Sequence, residues 1–203
     1  MKKSVAKRRN VKSPKTHDKI AVDEHEKPRD FLTLDEFEQM LVGARTGRHA
    51  ERDTAILYLL LQHGYRATEL CRAKRVDFDS RRARLWVQRL KKSLSTDQPT
   101  SGNALRTLKT YLKSRTERLP WLFVSERGSP FTRQGLHYLI AAIAKRAKLK
   151  HVHPHMLRHS CGHALADKGA DARLIQDYLG HRDLRHTSRY TRTAARRFEG
   201  LWE

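Results

Sequence analysis

The run Ala55-Ile56-Leu57-Tyr58-Leu59-Leu60-Leu61 constrains this chain more than any other stretch, because it is apolar on nearly every side of a helix. It falls far short of the ~20 residues that cross a bilayer, so it reads as a helix at the centre of a folded core. The spacing predicts a start near Glu51 and a stop at Gly64, since glycine accepts the left-handed turn that ends helices. Such a helix needs others to cover it, and the sequence supplies them. Thr33 followed by Glu36 is a capping box that opens a helix with Leu34, Phe37, Met40 and Leu41 on one side. Helices are also predicted over Ala67 to Arg72, Asn103 to Arg118, residues 132–148, Pro154 to Lys168 before Gly169, Asp171 to Leu179 before Gly180, and Thr193 to Trp202.

Between these the period changes to two. Val76-Asp77-Phe78-Asp79 and Leu85-Trp86-Val87-Gln88 read as strands joined by a polar turn at Ser80 to Arg82, and Trp121-Leu122-Phe123-Val124 is a brief strand-like run. Leu94 to Gly102 reads as a polar loop. There is no internal repeat. The expected fold class is therefore mainly α with a small antiparallel β-sheet (α+β), in one domain over residues 30–203. A flexible basic arm, residues 1–29, is expected to precede it.

Charge narrows the partner. Lys and Arg number 43 against 22 Asp and Glu, a net charge of +21. The first nineteen residues hold Lys2, Lys3, Lys7, Arg8, Arg9, Lys12, Lys15 and Lys19 against Asp18, so about two thirds of the excess belongs to the rest of the chain. A basic excess of this kind favours a polyanion through counterion release, and nucleic acid is the commonest. An anionic membrane is the rival, but no apolar run approaches spanning length and the basic N-terminus lacks a signal peptide's apolar segment. Charge by itself also fits a basic protein merely kept soluble. Two cysteines, Cys71 and Cys161, with no CxxC, exclude a disulfide framework and argue against a cysteine zinc site. They read as buried residues of a reducing compartment, so the expected location is the cytoplasm, at the nucleoid.

Four segments carry chemistry: Gly64-Tyr65-Arg66-Ala67-Thr68-Glu69-Leu70, Arg89-Leu90-Lys91-Lys92, His155-Met156-Leu157-Arg158-His159, and Leu179-Gly180-His181 with Tyr190 after it. Attack on a phosphodiester builds negative charge on its non-bridging oxygens, which two guanidiniums, Arg66 and Arg158, can clamp. A tyrosine hydroxyl, with an ordinary pKa of about 10, needs a base or a positive field to become a nucleophile. His155 is placed to accept or shuttle that proton, and a lysine near the cleaved bond can protonate the departing sugar oxygen. Taken singly, each of these is an ordinary phosphate-positioning arginine, solvated lysine or packed tyrosine. His155, His159 and His163, four residues apart, could share a face for a metal, but no Glu stands between them and no acid nearby completes a site, so neither metal nor cofactor is expected.

In order and spacing these segments resemble the tyrosine recombinase, or phage integrase, family, over roughly residues 30 to 203. There an Arg precedes a Glu by three positions, a Lys lies on a hairpin, an HxxR box opens a helix, and an LGH segment precedes a nucleophilic Tyr by about nine residues. Within the family the short length and the GYR and RLKK wording look most like the fimbrial phase-variation invertases. The resemblance implies a site-specific recombinase that cuts and rejoins DNA through a 3′-phosphotyrosine at Tyr190. It implies Arg66, Lys91, His155, Arg158, His181 and Tyr190 as catalytic and Glu69 as the support of Arg66 or a neighbouring His. Arg89 and Lys92 are expected to contact DNA, with Lys92 also open as the general acid. His159 is expected to pack or to support its neighbours. The implied partners are double-stranded DNA with inverted-repeat sites, a homo-tetramer on that DNA, and accessory DNA-bending proteins. Phe198, Leu201 and Trp202 would pack on their own domain or into a neighbouring protomer. Most relatives carry a separate helical N-terminal domain, and only the basic arm is expected here. A non-catalytic regulator on the same scaffold, and a topoisomerase-like enzyme, are the alternatives.

Overall fold

In the computed structural model, which describes residues 29–90, 93–116 and 119–192, the apolar run becomes α2 (Ala50–His63). Ala55, Ile56, Leu57, Leu59 and Leu60 are fully buried, packed between α1 (Leu34–Arg45), α4 (Gly102–Ser114) and α6 (Pro154–Asp167). The Thr33 capping box forms as expected, with the Glu36 backbone N–H donating to the Thr33 hydroxyl and the Thr33 N–H donating to the Glu36 carboxylate. The remaining helices are α3 (Ala67–Arg72), α5 (Arg133–Arg146), α7 (Ala172–Leu179) and α8 (Arg185–Arg192). No helix among the described residues is long and apolar enough to cross a membrane. Apolar residues fall into two clusters, a large one around α2 and a small one of Cys161, Ala166, Ile175, Leu179 and Tyr190 where α6, α7 and α8 meet. Both cysteines are buried, as expected.

A three-stranded antiparallel sheet runs β1 (Phe78–Asp79), β2 (Arg84–Val87), β3 (Thr96–Pro99). The strand expected over Val76–Asp79 is met only in its second half. Arg75–Asp77 instead forms a 3₁₀ turn, closed by the Lys74 N–H on the Asp77 carboxylate at 2.7 Å, and Val76 is left exposed. β3 lies where the sequence predicts a loop, pairing with β2 in the register Leu85↔Gln98. Its anchor is polar and long-range: buried Gln98 accepts from His63 Nδ1 at 2.9 Å and donates to the Tyr178 carbonyl at 2.9 Å. No periodic pattern encodes such partners. Trp121 and Val124 make only isolated bridges, to Lys74 and Pro130. Residues 1–28 of the expected arm, Lys91 and Lys92, the end of the helix expected to reach Arg118, and the closing helix with Phe198, Leu201 and Trp202 lie outside the described residues.

Gly64 does more than end α2. It sits in the left-handed region at φ +56°, and a Cβ there would come 2.4 Å from Leu179 Cδ2 and 3.2 Å from Cys161 Sγ. Gly64→Ala is expected to lower stability by about 2–4 kcal/mol, from αL strain and overlap in the smaller cluster. Chemical denaturation measures this, and a loss under ~1 kcal/mol would mean that α7 yields to the methyl group.

Candidate active site

Helix α6 sets the first part of the site through its period. Pro154 occupies its first turn, and His155, Arg158, His159 and Gly162 follow at i, i+3, i+4 and i+7, which stacks them along one face. His155 is exposed in a cleft of about 840 Å³, which Arg66 and His181 also line. Arg158 lies behind it, 1% exposed. The positive end of the α6 dipole faces the same cleft, lined there by His153 and Pro154.

The arginines are held at the C-terminal ends of two helices. Arg158 donates to the carbonyls of Gly64, at the end of α2, and Leu179, at the end of α7, the latter at 2.7 Å. Arg66 Nη2 donates to Gly180 O at 3.1 Å, and Arg89 donates to the carbonyls of His63, Gly64 and Tyr178. Three successive carbonyls, Tyr178, Leu179 and Gly180, thus each receive a different guanidinium. Helix C-termini leave such oxygens unpaired and carry the negative end of the dipole, so they satisfy buried cations without neutralising them. Gly64 and Gly180, both left-handed, turn the chain so that these carbonyls face the arginines.

Glu69 is the one carboxylate in this arrangement among the described residues. Its side chain is fully buried and accepts from Arg66 Nη1 at 2.6 Å, Arg89 Nη1 at 3.0 Å, and the backbone N–H groups of Arg66 and Leu90. Glu69 was expected to support Arg66 or a neighbouring His, and here its carboxylate bonds Arg66 directly. Burial pushes its pKa up, but Arg89 and the bonds from Arg66 outweigh burial and hold it below the ordinary value. A depressed folded-state pKa means stability that is present above the ordinary carboxylate range and lost as pH falls through the folded value. Glu69→Gln leaves the buried Arg89 without its anion and is expected to cost about 3–5 kcal/mol. It should also flatten the acid limb of the stability–pH curve, measured by urea titration across pH 3 to 7.

Arg89 requires a correction. Expected at the DNA, its side chain is 0% exposed, bonded to Glu69 and three carbonyls, so it acts as a strut between α2, α3 and α7. The long-range carbonyl partners that bury it carry no local signal. Lys91 and Lys92 lie between Leu90 and Ser93, both of which line the cleft. The cleft also holds residues the sequence reading missed, Arg133 and His137 on α5 and Arg182 and His186 after α7.

Positive charge dominates the electrostatics. Burial, then Arg89 and Arg66, push the Arg158 guanidinium down to about 9, and burial, then Arg158 and Arg66, push His181 down to about 3. Partial desolvation and then Arg158 lower His155 as well. Cations here resist their own protons because they outnumber anions, and an incoming anion relieves that repulsion. His181 Nδ1 stands 2.8 Å from the Thr187 hydroxyl, which ties the LGH segment to α8.

Tyr190 lies behind the cleft, 0% exposed, in the smaller apolar cluster. Its ring packs so closely on α6 that a Cβ at Gly162 would come within 2.6 Å of it. Its hydroxyl meets His159 Nδ1 at 2.7 Å rather than His155, the neighbour expected to take its proton. His155 meets the His159 ring edge-on, with centroids 4.2 Å apart. Burial pushes the phenol up to about 12. The third of the evenly spaced histidines, His163, stacks on Phe31 at 3.9 Å.

The phage integrase family profile matches residues 30–197. The type 1 fimbriae regulatory protein FimB of Escherichia coli strain K12 is 44% identical over 182 residues, covering 87% of this chain and 91% of that protein. FimE of the same strain is 39% identical over 181 residues, covering 86% and 91%. Among solved structures, the XerA recombinase superposes with a TM-score of 0.71 at 29% identity, covering 79% of this chain and 58% of that one. This chain therefore spans little more than half the length of that recombinase. The Tn1549 transposon integrase, solved with a circular intermediate DNA, shares the fold at 20% identity and a TM-score of 0.72.

Proposed function

The chain belongs to the phage integrase family of tyrosine recombinases, and from that premise we propose that it cuts and rejoins DNA at specific sites through Tyr190. The observation that carries this reading is the convergence of Arg66, His155 and His181 on one cleft, with Arg158 and Tyr190 directly behind it. In this reading a DNA phosphate enters the cleft, and the unspent N–H groups of Arg66 and Arg158 take its non-bridging oxygens. With Nδ1 accepting from Thr187, neutral His181 offers Nε2–H to the same phosphate. Tyr190 moves out of its pocket and attacks phosphorus: the Tyr190 oxygen–phosphorus bond forms and the bond to the 5′ oxygen breaks. His155, neutral and exposed in the cleft, takes the phenolic proton, while Lys91, or its neighbour Lys92, protonates the leaving oxygen. The phosphotyrosine keeps the bond energy, so rejoining needs no nucleotide.

The likeness to two fimbriae regulatory proteins supports DNA inversion as the outcome. The proposed assembly is a homo-tetramer on inverted-repeat DNA, aided by DNA-bending proteins. The basic residues of 1–29 would add a grip that weakens steeply with salt. The test begins with duplexes selected from random sequence for tight binding, resynthesised with a nick beside the candidate phosphate. A covalent adduct, mapped by mass spectrometry to the Tyr190 peptide, is the expected result. Tight, sequence-specific binding with no adduct on any nick position would instead leave a non-catalytic regulator. Adducts that form regardless of sequence would point to a topoisomerase-like enzyme.

A further inference from the structure

Tyr190 as it stands cannot reach a phosphate, because its hydroxyl is enclosed and already bonded to His159. What holds it there is informative. Helix α8 is strongly polar, and of its side chains only Thr187 and Tyr190 are buried among the described residues. An eight-residue helix docked by two side chains has little apolar area to retain it. Further hold comes from the contact between His181 and Thr187 and from the segment that leads into α1. Asp30 forms an ion pair with Arg189, the residue before Tyr190, and its carboxylate lies 3.5 Å from His159 Nε2. Phe31 meets the His163 ring at a 30° tilt, and the Leu32 N–H donates to Ser160 Oγ at 2.8 Å, so residues 30–32 are seated against α6.

We propose that Asp30 is a positioning residue that, through Arg189 and His159, keeps the Tyr190 helix withdrawn until a DNA phosphate replaces its carboxylate. This rests on the reading of Tyr190 as nucleophile and adds what restrains it. The Asp30 pair with Arg189 is about half exposed on both sides, so a backbone phosphate can compete for the guanidinium without first unfolding anything. The two groups also act on His155 in the cleft, which places the exchange beside the site where the scissile phosphate would sit. Loss of Asp30 from Arg189 removes an anion that ties α8 to the segment before α1, and His159 loses the acid behind its Nε2 as its Nδ1 releases the phenol. A carboxylate on a tether thus makes nucleophile release depend on DNA being present.

Nitration by tetranitromethane without DNA, read at the Tyr190 peptide by mass spectrometry, tests this on the full chain. Asp30→Asn should speed nitration of Tyr190 about fivefold, the scale of one half-exposed ion pair. Asp30→Glu, which keeps the charge, should restore protection, and Tyr65, 1% exposed in the large core, should stay protected throughout. On the selected nicked duplex, Asp30→Asn should bind DNA up to about fivefold more tightly, since the phosphate no longer displaces a carboxylate, and should form adduct at least as fast as the parent. Unchanged protection of Tyr190, or Tyr65 exposed in parallel, overturns the proposal, and so does slower cleavage by Asp30→Asn, which would make Asp30 an aid to the chemistry. If nitration shifts as expected while the parent protein forms no adduct on any duplex, Asp30 still positions Tyr190 and it is the nucleophile reading that fails.

Discussion

Tyr190→Phe abolishes the covalent adduct, with single-turnover cleavage falling on the order of 10⁴-fold or more, because no other group takes over a missing nucleophile's oxygen. DNA affinity should stay within about twofold, since the phenol faces His159 and the smaller cluster rather than the cleft. Stability should move slightly. The phenyl ring refills the pocket beside Gly162, but His159 Nδ1 loses its donor, and a buried acceptor left unmade costs about 1–3 kcal/mol. For a chain of this length that is a fall in Tm of roughly 2–12 °C. The measurement pairs a denaturing gel on the nicked duplex with fluorescence anisotropy for binding and calorimetry for Tm. An adduct that survives in Tyr190→Phe and maps to another residue would remove Tyr190 from the mechanism while leaving the fold intact.

The parts of this molecule legible in its sequence are those with local causes. Apolar periodicity gave α2, the Thr33–Glu36 box gave the start of α1, and Gly64, Gly169 and Gly180 gave three helix stops. The chemical residues were legible as types and order, because phosphate clamping needs guanidiniums and their spacing around α6 follows the helical turn. What stayed hidden has long-range causes. β3 is held by Gln98 reaching His63 and Tyr178, and Arg89 is buried by carbonyls up to 89 positions away. The placing of Asp30 on Arg189 spans 159 positions. Gly64 and Gly180 were read as punctuation, yet the turns they make present the carbonyls on which Arg66, Arg89 and Arg158 rest. His159 was read as packing or supporting its neighbours, and nothing near it in sequence names Tyr190 as the partner it meets. The one available signal was its offset of one residue from Arg158, which places it on the face that α8 covers.

Arg158→Lys is expected to cut single-turnover cleavage by about 10³-fold even though charge is conserved, since one donor aimed at developing negative charge is worth 10²–10³ by itself. The reason lies in how the guanidinium is divided. It donates to Gly64 O and Leu179 O, and in the proposed mechanism its other N–H groups take the phosphate, so one planar fork would serve protein and substrate together. An ammonium has three donors around one nitrogen on a flexible stem. If it satisfies both carbonyls it has little left for the phosphate, and if it turns to the phosphate it leaves a buried carbonyl unpaired, at about 1–3 kcal/mol. Cleavage should therefore fall much more than DNA affinity, because the oxygens Arg158 faces gain charge only as the transition state forms. Stability should fall as well, so the rate must be taken below the variant's own Tm, with saturating protein on the nicked duplex. A fall of less than about tenfold in cleavage, with the stability loss still present, would make Arg158 a tie between α2 and α7 and move the phosphate clamp to Arg66 and His181.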